Sequence, residues 1–355
     1  MVHSVSVSQA TARLIAPPHL SRRVRALLAS AGAVVLSLVV GGLLVVIAGG
    51  DPVSAYRSII DGALGTPYGI GQMLVLAIPL VIMGLGLALA FRGRVYNIGA
   101  EGQLFMGALA SGVVAVLLPV GFGPLLIGLA IVAGVLAGAG WGAIVGVLRA
   151  RWGVNEVITS LLLNFVAILI FTYIVRRPLR APGSPDLQGR AIQPEAALPA
   201  LPDLAVHIGL FLALALVPLA AYLMARTPFG FRVRMLGFNA EAARTAGVRS
   251  GRMVVGLMLI SGGLAGLAGA LQILGVAERL DPGISQGYGF TAIVVALLGR
   301  LNAVGVLLAA LFIALLQSGG QAMSVIEGVP YAIVLAIPGI FVVFLLIADR
   351  LARGE

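Results

Sequence analysis

The chain of 355 residues is 60% hydrophobic and 10% charged, with a mean hydropathy of +1.09. A soluble domain is about 45–50% apolar and about 25% charged, so this is the composition of a membrane protein. The absence of cysteine excludes a disulfide scaffold, a zinc–thiolate site, an iron–sulfur cluster and a cysteine nucleophile. All 23 basic residues are arginine, so a lysine-bearing P-loop and a Schiff-base lysine are excluded as well.

Taken in chain order at about 20 apolar residues per crossing, the runs are 26–48, 70–91, 104–118, 124–148, 157–175, 204–224, 253–277, a short one at 288–299, then 303–318 and 330–347. The first follows Arg22, Arg23 and Arg25 like a signal peptide. Its length exceeds a signal core and no small-residue cleavage site closes it, so it reads as a retained span. The expected fold is an all-α polytopic membrane protein of about ten transmembrane helices. The run 288–299 rises only about 18 Å as a helix, short of a bilayer core of about 30 Å. It is expected to be a short or broken span packed inside the bundle.

Orientation follows from the arginines. With the N-terminus inside and ten spans, seventeen arginines are cytoplasmic and six (57, 176, 177, 180, 190, 279) external, which the positive-inside rule favours. The net charge of +10 then reflects loop bias rather than nucleic-acid binding. The chain divides into a cytoplasmic tail 1–25, a membrane domain 26–348 and a cytoplasmic tail 349–355. External loops fall at 49–69, with a short helical pattern around Tyr56, Ile59, Ile60 and Ala63, and at 176–203, proline-rich and irregular. An arginine-rich internal loop covers 225–252. A weak echo links 84–89 with 266–271 on spans of opposite direction, as inverted repeats require.

Gly134, Gly138, Gly142 and Gly146 recur every four residues and read as a helix-packing face. Polar residues inside apolar spans must find a partner or water. In Arg94-Val-Tyr-Asn-Ile-Gly-Ala-Glu-Gly-Gln103, Asn97 and Glu101 are four apart and are expected to share a helix face, beside Gln103. The glycines make this a turn or broken-helix start. Asn97 capping the next span, with Glu101 on its dipole, explains the same residues. In Gly153-Val-Asn-Glu-Val-Ile-Thr-Ser-Leu-Leu-Leu-Asn164, Glu156, Ser160 and Asn164 form a stripe at i, i+4, i+8 that should face the bundle interior. Gln272, Asn302, Gln317 and Gln321 are weaker candidates, and His207 reads as an interfacial residue. Asn97, Glu101, Gln103, Glu156, Ser160, Asn164 and Gln317 are the expected lining of a polar pathway. In the internal loop, Glu241-Ala-Ala-x-x-x-Gly247 should form a short helix ended by glycine. The exposed Phe229, Phe231, Met235 and Phe238 beside it suit a soluble partner, or equally a membrane surface.

These residues carry a family resemblance. Glu241, Ala242, Ala243 and Gly247 resemble the EAA-x-x-x-Gly coupling loop of ABC importer permeases, without its downstream hydrophobic–proline part. Tyr96–Gln103 and Val154–Asn164 look like signature stretches of the branched-chain-amino-acid/ribose permease family, in its nucleoside and simple-sugar branch. The resemblance covers about residues 26 to 348. It implies a type II importer fold with inverted repeats and no cofactor in this chain. It also implies a second permease subunit, a partner ATPase holding ATP and magnesium, and an extracytoplasmic binding protein or lipoprotein. The setting implied is a bacterial-type plasma membrane, with both termini cytoplasmic. Phe229, Gly230, Arg232, Glu241, Ala242, Ala243 and Gly247 would carry the coupling, and nucleosides lead the substrate expectation, before simple sugars and branched-chain amino acids. An ion-coupled secondary transporter instead needs a carboxylate at mid-membrane, and only Glu101 and Glu156 offer themselves, both near expected cytoplasmic span ends. No filter-like run suggests a channel.

Overall fold

The structure, a computed structural model, describes residues 22–183 and 188–333, with Ala336, Gly339, Ile340, Val343, Phe344 and Ile347. The two expected tails and much of the run 330–347 lie outside the described residues. Two compact units divide the chain, 22–65 with 315 onward, and 66–314.

In the first unit, helix α1 (Arg22–Ile47) is followed by α2 (Pro52–Leu64), and the axis from Val35 bends by 111° between them. Asp51 caps α2 by accepting from the Ser54 N–H at 2.9 Å, and Pro52 follows at the first helical position. This is the helix expected around Tyr56 and Ile59. The end of α12 (Ala303–Glu327), which straddles the two units, packs on it. Ser54 and Ser58 donate to the Glu327 carboxylate at 2.9 and 2.8 Å, and Gly62 and Gly319 mark the close crossing.

The second unit holds the rest of the bundle. Helices α3 (Pro67–Arg92), α4 (Ala100–Leu117), α5 (Gly123–Trp152) and α6 (Glu156–Arg176) come first. A mostly irregular stretch follows, with one 3₁₀ turn at Pro194–Ala196 and a minimal hairpin that pairs β1 (Ala200–Leu201) with β2 (Val206–His207). Then come α7 (Gly209–Arg226), α8 (Pro228–Phe238), α9 (Ala240–Thr245), α10 (Ser250–Gln272) with a π turn at Ile273–Ala277, and α11 (Tyr288–Leu298).

Helix α10 is the hub, packed against α3, α4 and α5. Small residues allow it. A Cβ on Gly138 would lie 2.6 Å from Gly266 Cα, one on Gly142 2.5 Å from the Met258 carbonyl, and one on Gly134 2.8 Å from Ala270. The expected packing role of the four-residue glycine repeat is therefore met, and Gly107 of α4 meets Gly266 at the same crossing. With no hydrophobic force between helices in lipid, such close backbone approach supplies the van der Waals attraction. The echo segments 84–89 and 266–271 fall on α3 and α10, which pack against each other in opposite directions.

Among the described residues seven helices are long and apolar enough to cross a membrane: α3, α4, α5, α6, α7, α10 with its π turn, and α12. The bent α1–α2 pair would make an eighth, and the described residues do not fix the total at ten. The first run belongs to the bent α1–α2 pair, and 288–299 forms an 11-residue helix. The last run is only partly described.

Candidate functional site

Helices α3, α5 and α7 end at Arg92, Arg149–Arg151 and Arg226, so one end of the second unit is rich in arginine. There α3 passes into α4 through the loop 93–99, where Gly93 closes the helix and Arg94 takes a left-handed φ of 53°. A seven-residue backbone stretch in an apolar bundle needs partners for its N–H and C=O groups. The end of α3 takes the first three N–H groups, and helix α6 serves Tyr96 and Ile98. Asn155 caps α6 by accepting from the N–H groups of Val157 and Ile158, which sets the phase of the stripe behind it. Glu156 Oε1 accepts from Tyr96 N–H at 3.4 Å, Ser160 Oγ accepts from Ile98 N–H at 3.1 Å, and Asn164 Oδ1 accepts from Gly102 N–H at 2.8 Å. Asn164 Nδ2 also donates to the Ile98 carbonyl at 3.0 Å. Glu156 is paired with Arg149, which donates in addition to the Arg94 carbonyl.

The stripe faces the interior as expected, with Ser160 and Asn164 fully buried. Gly99 and Gly102 let it approach, since a Cβ on Gly102 would sit 2.9 Å from Asn164 Cα. Asn97 and Glu101 do not share a helix face, because Asn97 lies in the loop and α4 begins only at Ala100. The left-handed Arg94, just past the end of α3, turns the chain out of the helix there. Nor does Asn97 cap α4 from the usual position, for the N-cap is Gly99 with no side-chain bond. Asn97 instead exchanges amide hydrogen bonds with Gln103, at 2.8 and 3.1 Å, donates to Ser261 Oγ of α10 at 2.9 Å, and accepts from Gly99 N–H. Glu101 points elsewhere. Its Oε2 accepts from Gly289 N–H at 2.6 Å, at the N-terminus of α11, where a carboxylate complements the helix dipole. The short helix α11 is thus tied at its start to α4. Gln317, on α12, takes no part in these bonds.

Ser261 and Gly289 were not singled out in the sequence. A lone serine inside the apolar run 253–277 satisfies the same polar-in-span criterion as Asn164, whereas a backbone N–H leaves no sequence signal. His207, two residues before α7, is enclosed by protein. It is buried, its Nδ1 has no partner, and it packs on Gly209 and Gly275. Burial holds its imidazole down at about 4.

The internal loop folds as two helices. Thr227 caps α8 by accepting from Gly230 N–H at 3.2 Å with Pro228 next, a start signal the sequence reading passed over. Asn239 caps α9 through the N–H groups of Glu241 and Ala242, and the helix ends at Gly247 with φ +81°, so the expected Ala-rich helix is present. Glu241, Ala242, Arg232 and Gly247 are exposed, Phe229 is half-buried, and Gly230 and Ala243 are buried. A cavity of about 280 Å³ opens between α8 and α9, walled by Phe231, Met235, Phe238 and Ala243, with Phe238 89% exposed. Among the described residues no group of three His, Asp or Glu side chains is placed to hold a metal.

The model of the branched-chain amino acid transport system permease component family matches residues 69–348. The chain belongs to this family. The permease is 40% identical over 334 residues to a glucose ABC transporter permease protein of Haloferax volcanii, covering 90% of this chain and 87% of that one. It is 35% identical over 333 residues to a guanosine ABC transporter permease protein of Bacillus subtilis, covering 91% and 94%. A nucleoside ABC transporter permease protein of Lactococcus lactis is 29% identical over 337 residues, covering 92% of each chain. No solved structure matches the permease. The family match confirms the resemblance read from Tyr96–Gln103 and Val154–Asn164, and the nucleoside and glucose names agree with the expected branch.

Proposed function

We propose that this chain is the translocating subunit of an ATP-driven importer for nucleosides. The observation that carries the reading is the family match together with nucleoside-named relatives aligned along nine-tenths of the chain. A simple sugar is the second reading, favoured by the 40% identity to the glucose permease. The two share a neutral, polyhydroxylated ring.

In this reading the arginine-bearing end is cytoplasmic, both termini lie on that side, and α8 and α9 dock on a separate ATPase subunit. A second permease subunit and an extracytoplasmic binding protein complete the assembly. The exposed Phe238 beside a small cavity, with Arg234 and Asn239 on its wall, suits a protein partner that buries an apolar anchor within a polar rim. Closure of the ATPases would move α8 and α9, and with them the start of α10. The network around Asn97 and Asn164 would act on transport by holding the α3–α4 loop rather than by touching solute, because its amide groups are already bonded to protein. The bonded states of Glu101 and Glu156 also weigh against a carboxylate free to carry a coupling ion.

The test is substrate-stimulated ATP hydrolysis by the assembled complex. Glu241→Arg reverses an exposed charge, and Gly247→Pro removes the N–H bonded to Arg244 and forbids φ of +81°. Either should abolish stimulation while the chain still folds in the membrane. An assembled complex carrying Glu241→Arg with unaltered stimulation refutes the docking assignment. Uptake that continues without ATP at a constant ion gradient refutes the importer.

A further inference from the structure

At the end of the second unit opposite the arginines, α10 does not simply stop. Gln272 is its last α-helical residue, the π turn Ile273–Ala277 follows, and Glu278 closes it in a left-handed conformation with φ 50°. Wide π turns are frequently found at functional sites. Beside it opens a cavity of about 370 Å³, lined by Gln188, Gln272, Arg279, Asp281, Gln286 and Tyr288 among others.

Gln272 is the informative member. Only 4% of it is exposed, it lines the cavity, and among the described residues its side chain has no hydrogen-bond partner. Its amide atoms reach the open space of the cavity rather than being sealed off from it, so they are available to bond a ligand there. The neighbours fit a neutral polar ligand. Arg279 is engaged with Gln188, donating to its Oε1 at 2.6 Å, which leaves the Gln188 amide hydrogens for another acceptor. One Asp281 oxygen accepts from Gly283 N–H at 2.7 Å, and the other remains available to a hydroxyl. Amides both donate and accept, as hydroxyls and base edges do, and the buried Tyr288 forms an aromatic wall. The volume falls within the range of small-molecule sites.

We propose that this cavity is a binding station for the transported solute, a neutral compound bearing a sugar ring, and that Gln272 reads its hydroxyl or base edge. The proposal rests on the importer reading, in which this end faces the side from which solute is delivered.

The experiment uses the whole transporter, with its partner permease, ATPase and binding protein, in proteoliposomes, and radiolabelled guanosine, 2′-deoxyguanosine, glucose and 2-deoxyglucose as probes. Gln272→Met keeps the length and removes the amide. It should raise KM for the transported probe tenfold or more and change the ratio between that probe and its deoxy analogue. A packing role would scale both probes equally. Val276→Cys, on the cavity wall and 49% exposed in a chain free of cysteine, provides the second measurement. Saturating transported probe should slow its alkylation by a maleimide at least fivefold. An unchanged KM, a uniform loss for both members of a pair, or alkylation indifferent to the probe overturns the station while leaving the importer in place. If the wild-type complex takes up none of the four probes with ATP, the nucleoside-or-sugar reading fails first and the station falls with it.

Discussion

Replacing Asn164 by leucine removes one amide and leaves two backbone groups without partners, the Gly102 N–H and the Ile98 carbonyl. Both sit at a site where the side chain is 1% exposed, so water does not replace the amide. An unsatisfied buried group costs about 1–3 kcal/mol, while polar contacts between membrane helices average only about 0.6 kcal/mol, because the unfolded chain finds partners too. Leucine fills a similar volume, so the packing term is small. The expected loss is about 1–4 kcal/mol for the pair, enough to lower the Tm of the purified complex by several degrees. Leu162→Ala, on the same helix but 58% exposed, provides the control and should leave Tm nearly unchanged. Thermal denaturation and uptake are measured on the same preparation, and uptake is divided by the folded fraction. The network reading expects a lower Tm with turnover per folded complex little altered below it. An unchanged Tm with lost uptake would refute it and make Asn164 a solute contact.

Gly138→Val should cost about 1–3 kcal/mol by overpacking against Gly266, whereas Gly140→Ala, with open space at its Cβ, should be neutral or slightly stabilising; paired Tm values on the two variants settle this. Cysteines placed at Glu195 and Phe238, both exposed, report sidedness. The first should be labelled from outside intact cells and the second only after permeabilisation, and external labelling of Phe238→Cys would invert the topology. His207 is ordinarily half-protonated near 6.5, and burial holds it at about 4. The unfolded chain therefore binds the proton first as pH falls, and stability should drop between pH 6.5 and 4 by about 3 kcal/mol. In His207→Gln the slope of Tm against pH across that window should flatten, and an equal slope in both proteins would remove the histidine from the account.

Most of the bundle is legible in the sequence because long apolar runs have few alternatives in a bilayer. The Glu156–Ser160–Asn164 stripe is legible for the same reason, since three polar side chains at helical spacing must turn inward. Asn97 is harder. Its four-residue distance from Glu101 suggests a shared helix face, but the chain leaves α3 through the left-handed Arg94 and α4 begins only at Ala100, and spacing has meaning only inside one helix. Glu101 illustrates a second limit, because its partner is a backbone N–H 188 residues away with no side-chain signature. The helix α8 was available in Thr227-Pro228 and was masked by the arginines and phenylalanines that follow. Gln272 stood among several scattered amides until the π turn beside it and the cavity in front of it set it apart.

The glycine crossing has a consequence for how the chain is made. Helix α4 is the least apolar of the seven candidate spans, and Glu101, Gln103 and Ser111 are buried within it. Its companion surface, through Gly107 and across Gly134 and Gly138 of α5, is the face of α10 around Gly262 and Gly266, which leaves the ribosome more than a hundred residues later. During that interval α4 and α5 wait in the membrane with the bare backbone at Gly107, Gly134 and Gly138 not yet covered by α10. Chains arrested before Ser250 should therefore be recognised as orphans by quality-control proteases, while chains extended past Ile273 escape. On this prediction the commitment point of synthesis lies at the emergence of α10.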